Sequence, residues 1–195
     1  MSYYYLIASL PALSLGQAPI SEEAFVSRCE AELSDRDLRK VQAVATVPAT
    51  DEAPMAPPFT AAWNHLEIQL RNAIARIRAA KRSIDATHIL RPHGGFSTLI
   101  EDAVEDAWTQ PTPLAREKAL DTVRWQLLDD LVGPDPFSFN VILAYTIKRK
   151  LAERWSRMDS DTGWQKAQDT FEQQPAGRGR SYEPETAGSQ TGAQN

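Results

Sequence analysis

The sequence predicts an all-α protein, an irregular bundle of five to six helices with a short apolar N-terminal segment and a disordered C-terminal tail. Apolar side chains recur at helical spacing along most of its 195 residues. Residue types that favour helix starts or helix ends are found at the ends of those apolar stripes. A hydrophobic content of 42% is close to the globular average, so wholesale disorder is excluded.

The N-terminal part contains an apolar run and two short predicted helices. Residues 3–10 are aromatic and aliphatic and end at Pro11, and their pattern leaves a strand or a helical turn open. Ser21 is typical of an N-cap, and the helix after it carries the stripe Phe25, Cys29 and Leu33. We expect Cys29 to be a buried apolar residue and not a nucleophile. Ser34 and Asp37 resemble a capping arrangement for the second helix.

The rest of the chain divides at a proline-rich stretch. Residues 46–58 contain four prolines and no periodic pattern, which indicates a linker. The predicted organisation is an N-terminal segment over 1–45, a linker over 46–59, a main helical domain over 60–173 and a disordered tail over 174–195. Within the main domain we expect helices at Thr60 to about Ile84, from Ser97 or Thr98, from Thr112-Pro113 to Gly133, from Asp135-Pro136 to about Met158, and around 163–173.

Composition excludes several classes of function. One cysteine excludes a disulfide framework and a cysteine-based zinc site, and three histidines leave little material for a metal centre. Nine glycines argue against a loop-rich, phosphate-binding enzyme, and neither a phosphate loop nor a G-x-S-x-G elbow occurs. The net charge of −5 gives no overall bias toward nucleic acid. We therefore expect no metal, no cofactor and no nucleic-acid partner.

An enzyme remains the weaker alternative. His88 and His93 flank an arginine beside Gly94-Gly95, which could form an anion or ligand site, although a polar loop is the favoured interpretation. Two successive carboxylate pairs could perform acid–base or metal-assisted hydrolysis, but such pairs are also typical of a solvated helix. These carboxylates are Glu101, Asp102, Glu105 and Asp106.

Charge is segregated along the chain. Residues 61–82 and 145–158 each carry five basic and one acidic side chain, whereas residues 99–137 carry nine acidic and three basic ones. Packing between oppositely charged helices would explain this, and so would a basic face that binds an acidic partner. The candidate partner-binding residues are Arg71, Arg76, Arg78, Arg82, Lys148, Arg149, Lys150 and Arg154. The candidate core or interface anchors are Trp63, Trp108, Trp125 and Trp155.

Several blocks resemble an uncharacterised bacterial family encoded beside V-type ATP synthase subunits. The blocks lie within residues 3–165 and read YYYLIASLPALSLG, LRNAIARIRAAKR, PLAREKALDTVRWQLLDDL, FSFNVILAYTIKRKLAERW and MDSDTG. That family looks like a diverged relative of the C (d) subunit of rotary ATPases, which is all-helical, has no catalysis of its own and joins the central stalk to the membrane ring.

The resemblance implies a non-catalytic coupling subunit. Because this chain is shorter than the typical three-lobed subunit, an accessory or assembly role is the alternative form of this prediction. Its expected partners are stalk and membrane-ring subunits, and its expected place is cytoplasmic, peripheral to the inner membrane. The apolar N-terminus lacks the basic residues of a signal peptide, and no stretch is long enough to span a bilayer. A stand-alone helical adaptor is the alternative.

Overall fold

The computed structural model describes residues 3–46 and 58–158. The all-α prediction is confirmed, since this part of the chain contains seven α-helices and no strand. The helices are α1 (Tyr4–Ser9), α2 (Glu22–Glu32), α3 (Asp35–Thr46), α4 (Pro58–Arg82), α5 (Thr98–Thr109), α6 (Pro113–Val132) and α7 (Phe139–Ser156), with a 3-10 turn at Thr87–Ile89.

The open question about residues 3–10 is answered by α1. This short helix buries Leu6 almost completely, whereas Tyr4 and Tyr5 stay exposed. The hydroxyl of Tyr145 on α7 donates to the Pro11 carbonyl at 2.9 Å, and Tyr3 donates to Asp37 at 3.1 Å. The N-terminal run is therefore held against α3 and α7.

Two predicted helix starts are confirmed by their cap hydrogen bonds. The Ala24 amide donates to the Ser21 hydroxyl at 3.2 Å, and the Ala115 amide donates to the Thr112 hydroxyl at 3.1 Å. In both cases the side-chain oxygen satisfies an amide that has no partner within the helix. Pro113 then occupies the first turn of α6, where its missing N–H costs nothing.

Two other predicted helix starts are wrong. Helix α4 begins at Pro58 and not at Thr60, because proline suits a first helical turn. Its end at Arg82 agrees with the predicted end at about Ile84. Helix α7 begins at Phe139, because the Asp135 carboxylate accepts from the Phe137 amide at 2.9 Å and forms a turn before the helix.

The core consists of two apolar clusters. One joins α1, α2 and α3 to α7 through buried side chains that include Leu6, Phe25 and Leu143. The other joins α4, α5 and α6 and includes Leu70 and Ile100. The expected burial of Cys29 is confirmed, since it is fully buried in the first cluster.

The described helices all belong to one compact unit, which ends at Met158. The predicted last helix at 163–173, the predicted tail at 174–195 and most of the predicted linker lie outside the described residues.

No helix in residues 3–46 and 58–158 combines the length and the apolar character needed to cross a membrane.

Candidate functional site

A cleft of about 420 Å³ runs along one face of α4, and four arginines contribute to its lining. Its volume falls within the range of ligand-binding clefts in proteins. One side is a single helical stripe, made of Arg71, Ile74, Ala75, Arg78, Ala79 and Arg82. The other side is made of Ile84, Ile89, Glu117 and Arg124. We call this feature the arginine cleft.

The end of α4 explains why the chain turns back to form the second wall. Ser83 has φ of 53°, and its amide donates to the Ala80 carbonyl at 3.1 Å. The Ile84 amide donates to the Ala79 carbonyl at 3.1 Å, so that the two bonds form a Schellman cap. This cap turns the chain, and Ile84 then lies in the second wall of the cleft.

An aspartate fixes the next turn of this wall. The Asp85 carboxylate accepts from the Thr87 hydroxyl at 2.7 Å and from the Thr87 amide at 2.9 Å. These two hydrogen bonds, the hydroxyl first, hold the pKa of Asp85 below its ordinary value. The turn that follows brings Ile89 to the cleft with half of its surface exposed.

The four arginines of the cleft differ in how far their charge is already paired. Arg71 donates to Glu67 at 2.9 Å, and Arg124 bonds both Glu67 and Asp121. Arg78 lies 3.9 Å from Glu117, which is too far for a hydrogen bond. Arg82 has no ion-pair partner among residues 3–46 and 58–158. Arg78 also has a cation–π contact with Trp108, 5.7 Å from the ring centre. Because neither of them has a close carboxylate, Arg78 and Arg82 are the guanidinium groups of the cleft most available to an anionic partner.

A charged network lies beneath the cleft and joins three helices. Glu67 on α4 accepts from Arg124 on α6, and Arg124 also donates to Asp121 at 2.8 Å. Asp121 is fully buried and accepts from Arg154 and, at 2.6 Å, from the Trp155 indole of α7. This network ties the arginine cleft to the core.

Arg124 keeps its charge inside this network. Its burial favours the neutral form, but hydrogen bonding and attraction from Glu67, and then attraction from Asp121, hold the pKa of its guanidinium above the ordinary value. Because Arg124 precedes Trp125, the sequence predicts a packed tryptophan beside an outward-pointing arginine. Arg124 instead is only 14% exposed and lies between two carboxylates, because the neighbouring α4 supplies Glu67.

Only part of the predicted basic face lies in the cleft. Arg71, Arg78 and Arg82 line it, but Arg76 turns toward α5, where it holds Glu101 at 2.6 and 2.7 Å. The side chain of Glu101 also accepts from Gln69 at 3.1 Å. The charge segregation seen in the sequence is explained at this point by packing between α4 and α5.

The second predicted basic face, on α7, does not exist as one surface. Its assignment is wrong for Arg149, which is 1% exposed and bonds Glu153 at 3.0 Å. Lys148 pairs with Asp129, Arg154 pairs with the buried Asp121, and Lys150 is half-buried. Arg149 and Lys148 are therefore covered by neighbouring helices, whereas Arg154 is 41% exposed although it reaches the buried Asp121.

The four tryptophans predicted as anchors lie in the core or at its edge. Trp63 packs against both apolar clusters, and Trp155 is 9% exposed. Trp108 has the Arg116 guanidinium 4.6 Å from its ring centre, and Trp125 has the Lys148 ammonium at 4.9 Å. These contacts are cation–π pairs within the fold.

Most of the histidines and carboxylates of the enzyme alternative have structural partners or face solvent. His88 is exposed, whereas His93 is half-buried and its Nδ1 atom is buried without a hydrogen-bond partner. Burial would raise the pKa of Glu101, but hydrogen bonds from Arg76 and then Gln69 outweigh it and lower that pKa. Asp102, Glu105 and Asp106 are exposed on α5. In the described part of the chain, no three such side chains are grouped to hold a metal ion.

Cys29 gives a prediction for pH dependence. Burial raises the pKa of its thiol from 9.0 to about 11. The folded state therefore holds this proton more tightly than the unfolded state, so the resulting stability is complete below pH 9 and is lost as the pH rises toward 11. Urea unfolding between pH 8 and pH 10.5 should show a steeper loss for wild type than for Cys29→Ala. Equal slopes would contradict the assignment.

Comparison with known proteins gives one family model that matches part of the chain. Residues 99–173 match the family model described as "Protein of unknown function (DUF2764)". The match includes α5, α6 and α7 and therefore Glu117 and Arg124 of the cleft, whereas the α4 stripe and Ile84 to Ile89 lie outside it. Neither the curated proteins nor the solved structures gave a significant match.

Sequence reasoning missed half of the cleft. Arg71, Arg78 and Arg82 carry a readable helical signal, because they are seven and four residues apart on one face. Glu117, Arg124 and the two isoleucines carry no such signal, since only tertiary packing brings them to α4.

Proposed function

We propose that the protein is a non-catalytic coupling or accessory subunit of a bacterial V-type rotary ATPase, and that it binds an acidic stalk segment through the arginine cleft. In this proposal it lies at the cytoplasmic side of the inner membrane, held there by the complex. Support comes from the sequence blocks that resemble the family encoded with ATPase subunits, and from the chemistry of the cleft.

The single observation that carries the proposal is the arginine cleft. Arginine stays protonated at every physiological pH, so it binds carboxylates well but is a poor general acid or base. The cleft adds exposed isoleucines beside the guanidinium groups, as protein interfaces do. Such a surface suits binding to another protein more than turnover of a substrate.

The test uses the native membrane fraction. A tagged full-length chain should co-purify with ATPase subunits, and deletion of its gene should lower ATP-driven ion pumping by membrane vesicles. Restoration by wild type, but not by the Arg78→Gln/Arg82→Gln variant, would tie the effect to the cleft. Absence from the intact complex together with undiminished pumping would overturn the proposal.

A stand-alone helical adaptor is the second candidate. The observation that favours it is that the cleft needs only an acidic, partly apolar partner, which a protein outside a rotary ATPase could supply. Cleft-dependent binding to a defined protein other than an ATPase subunit, with normal pumping in the deletion strain, would select this candidate.

A further inference from the structure

We infer that the arginine cleft accepts one acidic amphipathic α-helix of a partner protein, laid along α4. The inference rests on the proposed function, since it specifies the partner segment that the same cleft would bind. Shape, charge spacing and apolar surface each point to a helix.

The centre of the α4 stripe that lines the cleft consists of small residues. Ala75 and Ala79 lie one turn apart on α4, and Ala79 is almost fully buried beneath the cleft. Helices pack at axial separations of about 8–10 Å, and small residues at the contact allow the closest approach. A helix can therefore lie against this stripe, flanked by the longer arginine side chains.

The arginines form a ladder with helical spacing. Arg71, Arg78 and Arg82 follow one another at i, i+7 and i+11, which corresponds to about 16 Å along α4. A partner helix running antiparallel would present matching carboxylates at i, i+4 and i+11, all on one of its faces. Three turns of helix are enough to reach all three guanidinium groups.

The opposite wall requires apolar cover. Ile84 is 57% and Ile89 is 51% exposed, although both belong to a wall fixed by the Schellman cap and the Asp85 turn. Leucine side chains flanking the acidic face of the partner would cover them. A free phosphate or a nucleic-acid backbone could pair with the arginines but would leave both isoleucines in water.

Two synthetic peptides test the register. Each is a 16-residue helix of alanine and glutamine with three glutamates and three leucines. The on-face peptide has glutamates at i, i+4 and i+11 with the leucines beside them. The off-face peptide has the same composition, but its glutamates lie on the side of the helix opposite to its leucines. Fluorescence anisotropy with the full-length chain should show the on-face peptide binding at least about tenfold more tightly, and more weakly as salt rises.

Variants of the chain locate the binding. Arg82→Gln should lower the affinity for the on-face peptide by up to about fivefold, and Arg78→Gln/Arg82→Gln should lower it further. The matched control is Arg36→Gln/Arg39→Gln, which removes the same charge from exposed positions of α3 and should change nothing. Ile89→Ser should weaken binding without altering its salt dependence.

Replacing Glu117 should raise the affinity for the on-face peptide, unlike the arginine substitutions. Glu117 is half-exposed, lines the cleft and stands 3.9 Å from Arg78. Because its carboxylate repels an acidic helix and attracts Arg78, Glu117→Gln should tighten binding of the on-face peptide by about two- to fivefold. Unchanged or weaker binding would contradict this placement of the partner.

Three results would overturn the inference. The first is equal affinity for the two peptides, or no binding of either at 1 mM. The second is that pyrophosphate or a 20-nucleotide single strand competes for the same arginines with higher affinity than the on-face peptide. The third is a dimer of this chain, detected by light scattering, that Arg78→Gln/Arg82→Gln abolishes. On-face binding with no ATPase in the pull-down would leave the inference standing and overturn only the proposed function.

Discussion

Replacing Asp121 by asparagine should lower the free energy of unfolding by about 3–5 kcal/mol. Asp121 is fully buried, and its two carboxylate oxygens accept from Arg124 at 2.8 Å, from the Trp155 indole at 2.6 Å and from Arg154. Asparagine keeps the volume but removes the charge that compensates two guanidinium groups. The loss is large because Arg124 is itself only 14% exposed and cannot recover full hydration.

Urea unfolding followed by circular dichroism measures this effect. The matched control is Asp130→Asn, an exposed aspartate on the same helix, which should change the free energy of unfolding by less than about 0.5 kcal/mol. A loss below about 1 kcal/mol for Asp121→Asn would show that the α4–α6–α7 network does not hold these helices together.

Phe25→Ala should cost about 3–5 kcal/mol and should not change the number of unfolding transitions. Phe25 is 2% exposed, and its ring stacks on Tyr145 with centroids 5.5 Å apart. The buried Arg149 guanidinium lies 5.9 Å from the same ring. The side chain therefore joins α2 to α7, so its removal should destabilise both ends of the described chain together.

Phe96→Ala is the control for Phe25, because Phe96 is 69% exposed and should contribute little. Tryptophan fluorescence and far-ultraviolet circular dichroism should give coincident transitions for both variants. A separate early transition in Phe25→Ala would mean that α1 to α3 fold independently of α7.

The local part of the fold could be predicted from the sequence. Apolar stripes and capping residues such as Ser21 and Thr112 act within a few residues of themselves, so they are visible without a tertiary structure. The predicted starts of α4 and α7 are wrong because a proline near a helix start has no single position. Pro58 begins α4, whereas Pro136 lies in a turn before α7. Proline is compatible with both situations.

Only the part of the candidate site that lies on the single helix α4 could be predicted from the sequence. The α4 arginines were recognised, but the sequence could not separate Arg78 from Arg76, which Glu101 holds on another side of the helix. The sequence predicts a surface position for Arg149, because arginine is seldom buried. Its burial depends on Glu22 at 3.3 Å and on Glu153, and the first of these comes from a distant part of the chain.

Site-specific photo-cross-linking in native membranes tests the central claim most directly. A photoreactive residue at Ile89, inside the arginine cleft, should cross-link to an acidic segment of a rotary ATPase subunit, and the same residue at Arg36 on α3 should not. Arg78→Gln/Arg82→Gln should abolish the cross-link at Ile89. Cross-linking that is equal at the two positions, or that persists without the two arginines, would contradict the assignment of the cleft as the partner-binding site.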